Sequence, residues 1–393
     1  MSEKKRIYLD NAAATPVREE VKKAMERFWN IDFGNAGAIH QEGQIAKQAI
    51  IQSRETIAKI LKARSEEIIF TSSGTESNNL AVFGALDKLE EQGMKIKDMH
   101  LITTAIEHPS VLYRFQNYQK KGARLDFAKI EKNGIINLKH FKKLLQPNTV
   151  LVSIMFVNNE IGTIQPIAEI VKIIRDFKKK RGDKNSILPI FHSDAAQALL
   201  YIPINTENLG ADLLSFDAQK IYGPKGIGLL YIRKEIKINP LIIGGSQEKG
   251  MRPGTENIPL IVGFAKALEL AIAEQKKEVA RLTKLRDYFI TQVLEKIPAS
   301  ELNGDAVCRL PNNVNISLRG INNEFVVLQL DAKGIACSTK SACLTKKHSY
   351  VIEALGDKDR EKTNNSLRFA LGRQTSKKDI DYVIQCLVKI CNK

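Results

Sequence analysis

Ser215-Phe216-Asp217-Ala218-Gln219-Lys220-Ile221-Tyr222-Gly223-Pro224-Lys225-Gly226 is the stretch on which the reading of this chain turns. An apolar run from Ala211 to Phe216 reads as a short strand, and a lysine follows almost at once. Gly223-Pro224-Lys225-Gly226 then turns the chain into a second apolar run, Ile227 to Ile232. Lys220 is thereby expected between two buried elements. A lysine amine held against apolar walls has its charged form disfavoured, so the free amine can attack a carbonyl and form a Schiff base, the way a protein holds pyridoxal phosphate. On this stretch alone, a strand-end lysine with its ammonium in water is the simpler reading.

Working outward, the same layout recurs. Glu67 to Thr71 reads as a strand ending in Ser72-Ser73-Gly74-Thr75-Glu76, with helical spacing from Ser77 to Leu89. Such a turn either caps its helix or offers N–H groups and hydroxyls to a phosphate, which makes Gly74 and Thr75 candidates. Met99 to Ala105 ends in Glu107-His108-Pro109, placing His108 at a strand's C-terminal edge, where open α/β sheets bind ligands. Thr149 to Val157 ends in Asn158-Asn159-Glu160, and Ile187 to Phe191 ends in His192-Ser193-Asp194-Ala195-Ala196-Gln197. Asp194 reads either as a helix cap or as a carboxylate that keeps a pyridine nitrogen protonated. Strand, polar tip, helix, repeated, predicts an α/β fold with a mainly parallel sheet.

At the N-terminal side, Ile7 to Asp10 reads as a strand and Thr15-Pro16 as an N-cap with proline at the first helical position. The helix that follows would bury Val17, Val21, Met25 and Phe28. Phe33 to Gly37 is expected to be a loop, and Gln44 to Leu61 an amphipathic helix. Gly244 to Thr255 is a long glycine-rich loop expected to be mobile or to reach a neighbour. A helix from Ile258 to about Lys296 would join two domains: a large one over residues 16–257, and a smaller α+β one built from 1–15 and 258–393.

A chain of 393 residues, 43% hydrophobic, can bury a large core. No stretch approaches the 18 or so apolar residues of a membrane span, and the first residues lead into a strand, so a cytoplasmic location without membrane contact is expected. The five cysteines are odd in number and lack a Cys-x-x-Cys pair, against a disulfide framework or a metal site. The net charge of +16 comes from lysines without interleaved aromatics, against direct nucleic-acid binding, although an acidic partner or RNA could still be attracted. One cysteine stands out. Cys343 lies in Ser338-Thr339-Lys340-Ser341-Ala342-Cys343-Leu344-Thr345-Lys346-Lys347-His348, where nearby cations favour the reactive thiolate.

These motifs together resemble the cysteine desulfurases, pyridoxal-phosphate enzymes of the aspartate-aminotransferase fold (fold type I). The likeness runs through Tyr8 to Ala13, Phe70 to Asn79, Glu107-His108, Val157 to Gly162, Asp194 to Gln197, Lys220 to Gly228, Gly250 to Thr255, Ser341 to Cys343 and Leu367 to Phe369. The stretch after Cys343 is similar to the subgroup with a mobile cysteine loop, slightly shortened. The resemblance implies that Lys220 holds the cofactor and moves protons, that Asp194 pairs with the pyridinium, and that Gln197 bonds the phenolic oxygen. His108 would stack on the ring, and Thr75 would grip the phosphate, joined by Thr255 from the other subunit of a homodimer. Arg368, backed by Asn159, would clamp the carboxylate of L-cysteine, and Cys343 would take the sulfur as a persulfide and leave alanine. A sulfur-acceptor protein, an iron–sulfur scaffold or a tRNA-thiolation protein, would follow. A related lyase such as a selenocysteine lyase, or a non-catalytic protein on the same fold, is the alternative.

Three features depart from the pattern. Asp217 and Gln219 stand where the family usually has serine and histidine, both phosphate contacts. Gln219 can still donate, but an ionised Asp217 cannot, and a carboxylate about 4 Å from a phosphate charge costs on the order of 4 kcal/mol at an effective dielectric near 20. Asp217 should therefore turn away, be compensated by a cation such as Arg252, or be protonated. The third feature is the run Lys340, Lys346, Lys347, which should lower the Cys343 pKa. The chain also ends soon after its last helix, where family members that serve the scaffold often carry a docking tail.

Overall fold

The computed structural model describes residues 6–182, 187–340, 349–356 and 365–391. Cys343, Lys346 and Lys347 lie outside them. The chain starts with β1 (Ile7–Tyr8), α1 (Glu19–Asn30) and α2 (Gln41–Leu61), followed by β2 (Ile68–Thr71), α3 (Gly74–Glu91), β3 (His100–Thr104), α4 (Pro109–Lys120) and β4 (Arg124–Ala128). Next come α5 (Leu138–Leu144), β5 (Thr149–Ser153), α6 (Ile167–Lys180), β6 (Ile190–Asp194), α7 (Thr206–Leu209), β7 (Leu213–Asp217) and β8 (Gly228–Ile232). After α8 (Ile258–Lys296) the chain adds β9 (Ser300–Leu302), β10 (Asn313–Leu318), α9 (Asn323–Asp331), β11 (Ile335–Ala336), α10 (Tyr350–Ala354), β12 (Ser366–Ala370) and α11 (Lys377–Cys391).

The large sheet has the order β2-β8-β7-β6-β5-β3-β4. The strands from β7 to β4 pair in parallel, and β8 runs antiparallel to both its neighbours. Every residue of β2, β3, β5, β6, β7 and β8 is buried, as a sheet covered on both faces requires. One apolar layer, including Phe70, Phe216, Phe264 and Leu268, joins this sheet to α2 and α8. The opposite layer, including Leu80, Phe115 and Tyr118, packs α3 and α4 on its other face. A smaller sheet, β12-β10-β9, and the parallel pair β1-β11 stand apart from the large one. Among the described residues no helix is long and apolar enough to cross a membrane.

Several elements differ from expectation in ways that bear on the site. Thr15 does not cap α1, whose N-cap is Arg18. Instead its hydroxyl donates to Gln219 O at 2.7 Å and accepts from Tyr222 N at 2.8 Å, clamping the turn that carries Lys220. The β6 strand runs Ile190–Asp194 rather than 187–191, because Pro189 has no N–H for a sheet ladder. Asp194 thus belongs to the strand's last position, not to the loop beyond it. The Gly244 to Thr255 loop is pinned rather than loose: Glu248 takes two hydrogen bonds from Arg54, at 2.5 and 2.9 Å, and one from Phe70 N.

Candidate active site

The carboxyl ends of β2, β3, β5, β6 and β7 open on one edge of the large sheet, and the polar tips of the sequence converge there. A cavity of about 250 Å³ at this edge is lined by Gly74, Thr75, His108, Asn159, Asp194, Gln197, Gln219, Lys220 and Arg368, together with Asn78, Ser110 and Asp217. Among the described residues expected at the site, Thr255 alone is elsewhere, in a separate hollow with Ser72, Arg252 and Ile261. A larger hollow, about 410 Å³, lies between Tyr8, Tyr222 and Arg373 and carries none of the expected site residues.

The surroundings of Lys220 differ from the apolar walls expected for it. It sits at the end of a short turn after β7, half-buried, and its Nζ donates to the backbone oxygens of Ala12 and Ala13 at 2.8 and 2.6 Å. Gln197 Nε2 donates to Ala12 O as well, at 3.0 Å. The small-residue stretch Ala12-Ala13 therefore holds both side chains.

Asp194 is fixed by Ala196 N, which donates to Oδ1 at 3.0 Å, and by Asn78 Nδ2, which donates to Oδ2 at 2.7 Å. Asn78 gives a second hydrogen bond to Ser110 Oγ at 2.8 Å, and Ser110 Oγ lies 2.7 Å from His108 Nδ1. Ser110 N also donates to that nitrogen. With Asn78 N–H pointing at its oxygen, the Ser110 hydroxyl proton goes to His108 Nδ1, so neutral His108 carries its own proton on Nε2. Asn78 and Ser110 are site residues that reading the sequence missed. Their positions, one helical turn after Gly74 and two residues after His108, were the available signal.

Arg368, on β12, is 1% exposed. Its Nη2 donates to Asp10 Oδ1 at 2.7 Å and its Nη1 to Asn159 O at 3.1 Å, so Asn159 supports it through the backbone. Arg368 Nε and Asn78 Oδ1, buried atoms of two lining residues, have no hydrogen-bond partner among the described residues. Beside the cavity Glu107 is fully enclosed, and burial raises its carboxyl to about 8 despite hydrogen bonds from Thr104 and Met155 N. Burial also pushes the Cys337 thiol to about 12, as an inert cysteine requires.

A lysine amine, a tethered carboxylate, an imidazole and a buried guanidinium make the donor set a pyridoxal ring and an amino-acid carboxylate would need, and the two orphaned atoms leave bonds to be made. At the phosphate end the fit is altered. Asp217 accepts from Gly74 N at 3.2 Å, Gln219 N at 3.1 Å and Gln219 Nε2 at 3.1 Å. Arg252 does not compensate it, because Arg252 Nε is bonded to Glu76 Oε1 at 3.1 Å. Nor does Asp217 turn away.

The family description Aminotransferase class-V matches residues 7–383 of this chain. A protein of Dictyoglomus turgidum named Cysteine desulfurase IscS is 45% identical over 392 residues, covering 99% of this chain and 95% of its own. One of the same name from Methanosarcina thermophila is 42% identical, covering 100% and 93%. A solved structure described as a NifS-like protein superposes with a TM-score of 0.90 at 33% identity, covering 99% of this chain and all of the other.

Proposed function

The chain belongs to the class-V aminotransferase family and, within it, to the pyridoxal-phosphate-dependent cysteine desulfurases; on that premise we propose that it removes sulfur from L-cysteine, leaves L-alanine, and carries the sulfur on Cys343. The observation that carries the assignment of residues is the convergence of Lys220, Asp194, His108 and Arg368 on one cavity. The bound cofactor supplies an electron sink for the carbanion at the substrate's α-carbon.

This chain's residues have the rest to do. Arg368 offers a planar fork to the substrate carboxylate, with three of its five N–H donors not taken by Asp10 or Asn159. Lys220 and the Nε2–H of His108 would hold and move protons, and Asp194, steadied by Asn78, would hold the cofactor at its ring nitrogen and favour the protonated form there. The described residues on either side of the Cys343 segment are hydrogen-bonded to residues at or next to the cavity lining. Ser338 and Arg368 exchange backbone hydrogen bonds of 3.1 and 2.6 Å, while beyond the segment Ser349 Oγ donates to Glu160 and Tyr350 OH to Glu107 O. The Cys343 thiolate attacks the substrate sulfur, so that an S–S bond forms as the C–S bond breaks.

A second copy of the chain would complete the site with Thr255, in line with the exposed apolar residues Ile39 and Ile243, 95% and 94% open in one chain. An acceptor protein then takes the persulfide sulfur. We divide the chain into a large domain over 16–257, to which the seven-stranded sheet belongs, and a smaller one built from 1–15 and 258–393, to which the other two sheets belong. The test is the release of alanine and sulfide from L-cysteine by the purified protein, with mass spectrometry of Cys343. Cys343→Ala should abolish sulfide release while the protein stays yellow with cofactor. A colourless protein that cannot be loaded, or sulfide release undiminished in Cys343→Ala, would sink the assignment.

A further inference from the structure

In the site proposed above, the end of the cleft that should receive the cofactor phosphate holds, beside Thr75, three N–H donors: Gly74 N at the start of α3, Gln219 N and Gln219 Nε2. All three converge on the two oxygens of Asp217, at 3.1 to 3.2 Å. The carboxylate is 6% exposed, and it packs as well as bonds: a Cβ added to Gly74 would stand 3.2 Å from Asp217 Cβ and 3.3 Å from Oδ2. Gly228, paired with Asp217 across β7 and β8, has Ser73 backbone against it so closely that a Cβ there would come within 2.4 Å. The strand pair thus presses the helix start onto the acid. Arg252 does not answer the acid's charge, since its Nε is bonded to Glu76 Oε1 at 3.1 Å.

We infer that Asp217 is a built-in anion that competes with the cofactor phosphate for Gly74 and Gln219, so that this chain grips pyridoxal phosphate mainly by its ring end and distinguishes it little from unphosphorylated pyridoxal. The inference rests on the pyridoxal-phosphate reading of the site. A phosphate entering this end must displace the carboxylate from its donors and then lie beside it, losing charge-assisted hydrogen bonds and gaining repulsion. Pyridoxal does neither.

The experiment is an absorbance titration of the purified full chain, stripped of cofactor, with pyridoxal phosphate and with pyridoxal, repeated on Asp217→Asn and Asp217→Ser. The unaltered protein should bind the two aldehydes within about tenfold of each other, and each variant should bind the phosphorylated one about tenfold or more tighter, with pyridoxal affinity unmoved. Asn keeps the shape and an acceptor oxygen, so a failure of the Ser variant to fold does not remove the test. A preference of about a hundredfold or more for the phosphorylated aldehyde, unchanged by either substitution, overturns the inference alone. So does an equal loss of both affinities, which is what a merely structural Asp217 would give. Failure of either aldehyde to bind overturns both the inference and the reading beneath it.

Discussion

Arg368 Nη2 and Asp10 Oδ1 meet at 2.7 Å, joining the small sheet to the N-terminal segment directly beside the cavity. The arginine is buried and the aspartate 21% exposed at its side chain. The pair sets the angle at which the guanidinium faces a substrate, and it neutralises a charge that is otherwise enclosed. Removing the partner of a buried charge is more damaging than the pair is stabilising. Asp10→Ala should therefore lower stability by about 2 kcal/mol, read as a reduced denaturation midpoint at constant slope. It should also raise KM for cysteine more than it lowers kcat. An unchanged KM would remove Asp10 from the site.

Ser110 sets the tautomer of His108 by giving its hydroxyl proton to Nδ1. Ser110→Ala should leave KM for cysteine nearly unchanged and lower kcat by about tenfold to a hundredfold, part of what a positioned acid or base contributes. Ser110→Thr keeps the hydroxyl and should restore most of the rate. A rate loss in both variants alike would indicate packing rather than proton placement.

Glu107 is neutral in the folded protein below its raised pKa of about 8, whereas the exposed carboxyl of an unfolded chain titrates near 4.5. Its contribution to stability is thus fully present below about pH 4.5 and is lost as pH rises through 8, since the unfolded state releases the proton first. Glu107→Gln keeps an oxygen for Thr104 and Met155 N but carries no proton to lose. Relative to the unaltered protein, the variant should gain on the order of 3 kcal/mol between pH 5 and pH 8, measured by urea unfolding at several pH values. A constant difference across that range would show that Glu107 titrates normally.

The sheet and its crossover pattern were legible because buried parallel strands are apolar runs with polar tips, as at Thr149 and Leu213. Arg124–Ala128 escaped notice: it is a five-residue edge strand in which Arg124 and Phe127 are exposed, too short for its alternation to stand out from the polar sequence around it. Lys220, Asp194, His108 and Arg368 were found by residue type and strand position. Asn78 and Ser110 are tied to the site by hydrogen bonds to Asp194 and His108, and an asparagine or serine early in a helix has no chemical signature of its own. The true role of Thr15 was hidden because Thr-Pro suits a helix start equally well, and only the approach of Gln219 and Tyr222, over 200 positions away, decides otherwise.

Glu248 holds the long loop by the same logic of enclosed charge. Its carboxylate takes both Nη groups of Arg54 and the N–H of Phe70, with its backbone at φ 45° and Lys249 next to it at φ 59°. Two non-glycine residues in the left-handed region are strained, and the three hydrogen bonds are what offset that strain. Arg54 also lies 4.8 Å over the Phe70 ring, so the acid fixes the cation and the cation braces β2, the strand that leads to Gly74. Glu248→Ala leaves the mostly buried Arg54 without its carboxylate, holding only Ile68 O and the Phe70 ring, and stability should fall by about 2–3 kcal/mol. Limited proteolysis should then cut the chain between residues 244 and 255, where the unaltered protein resists. A variant equally stable and equally resistant would mean that the loop is held by something other than this ion pair.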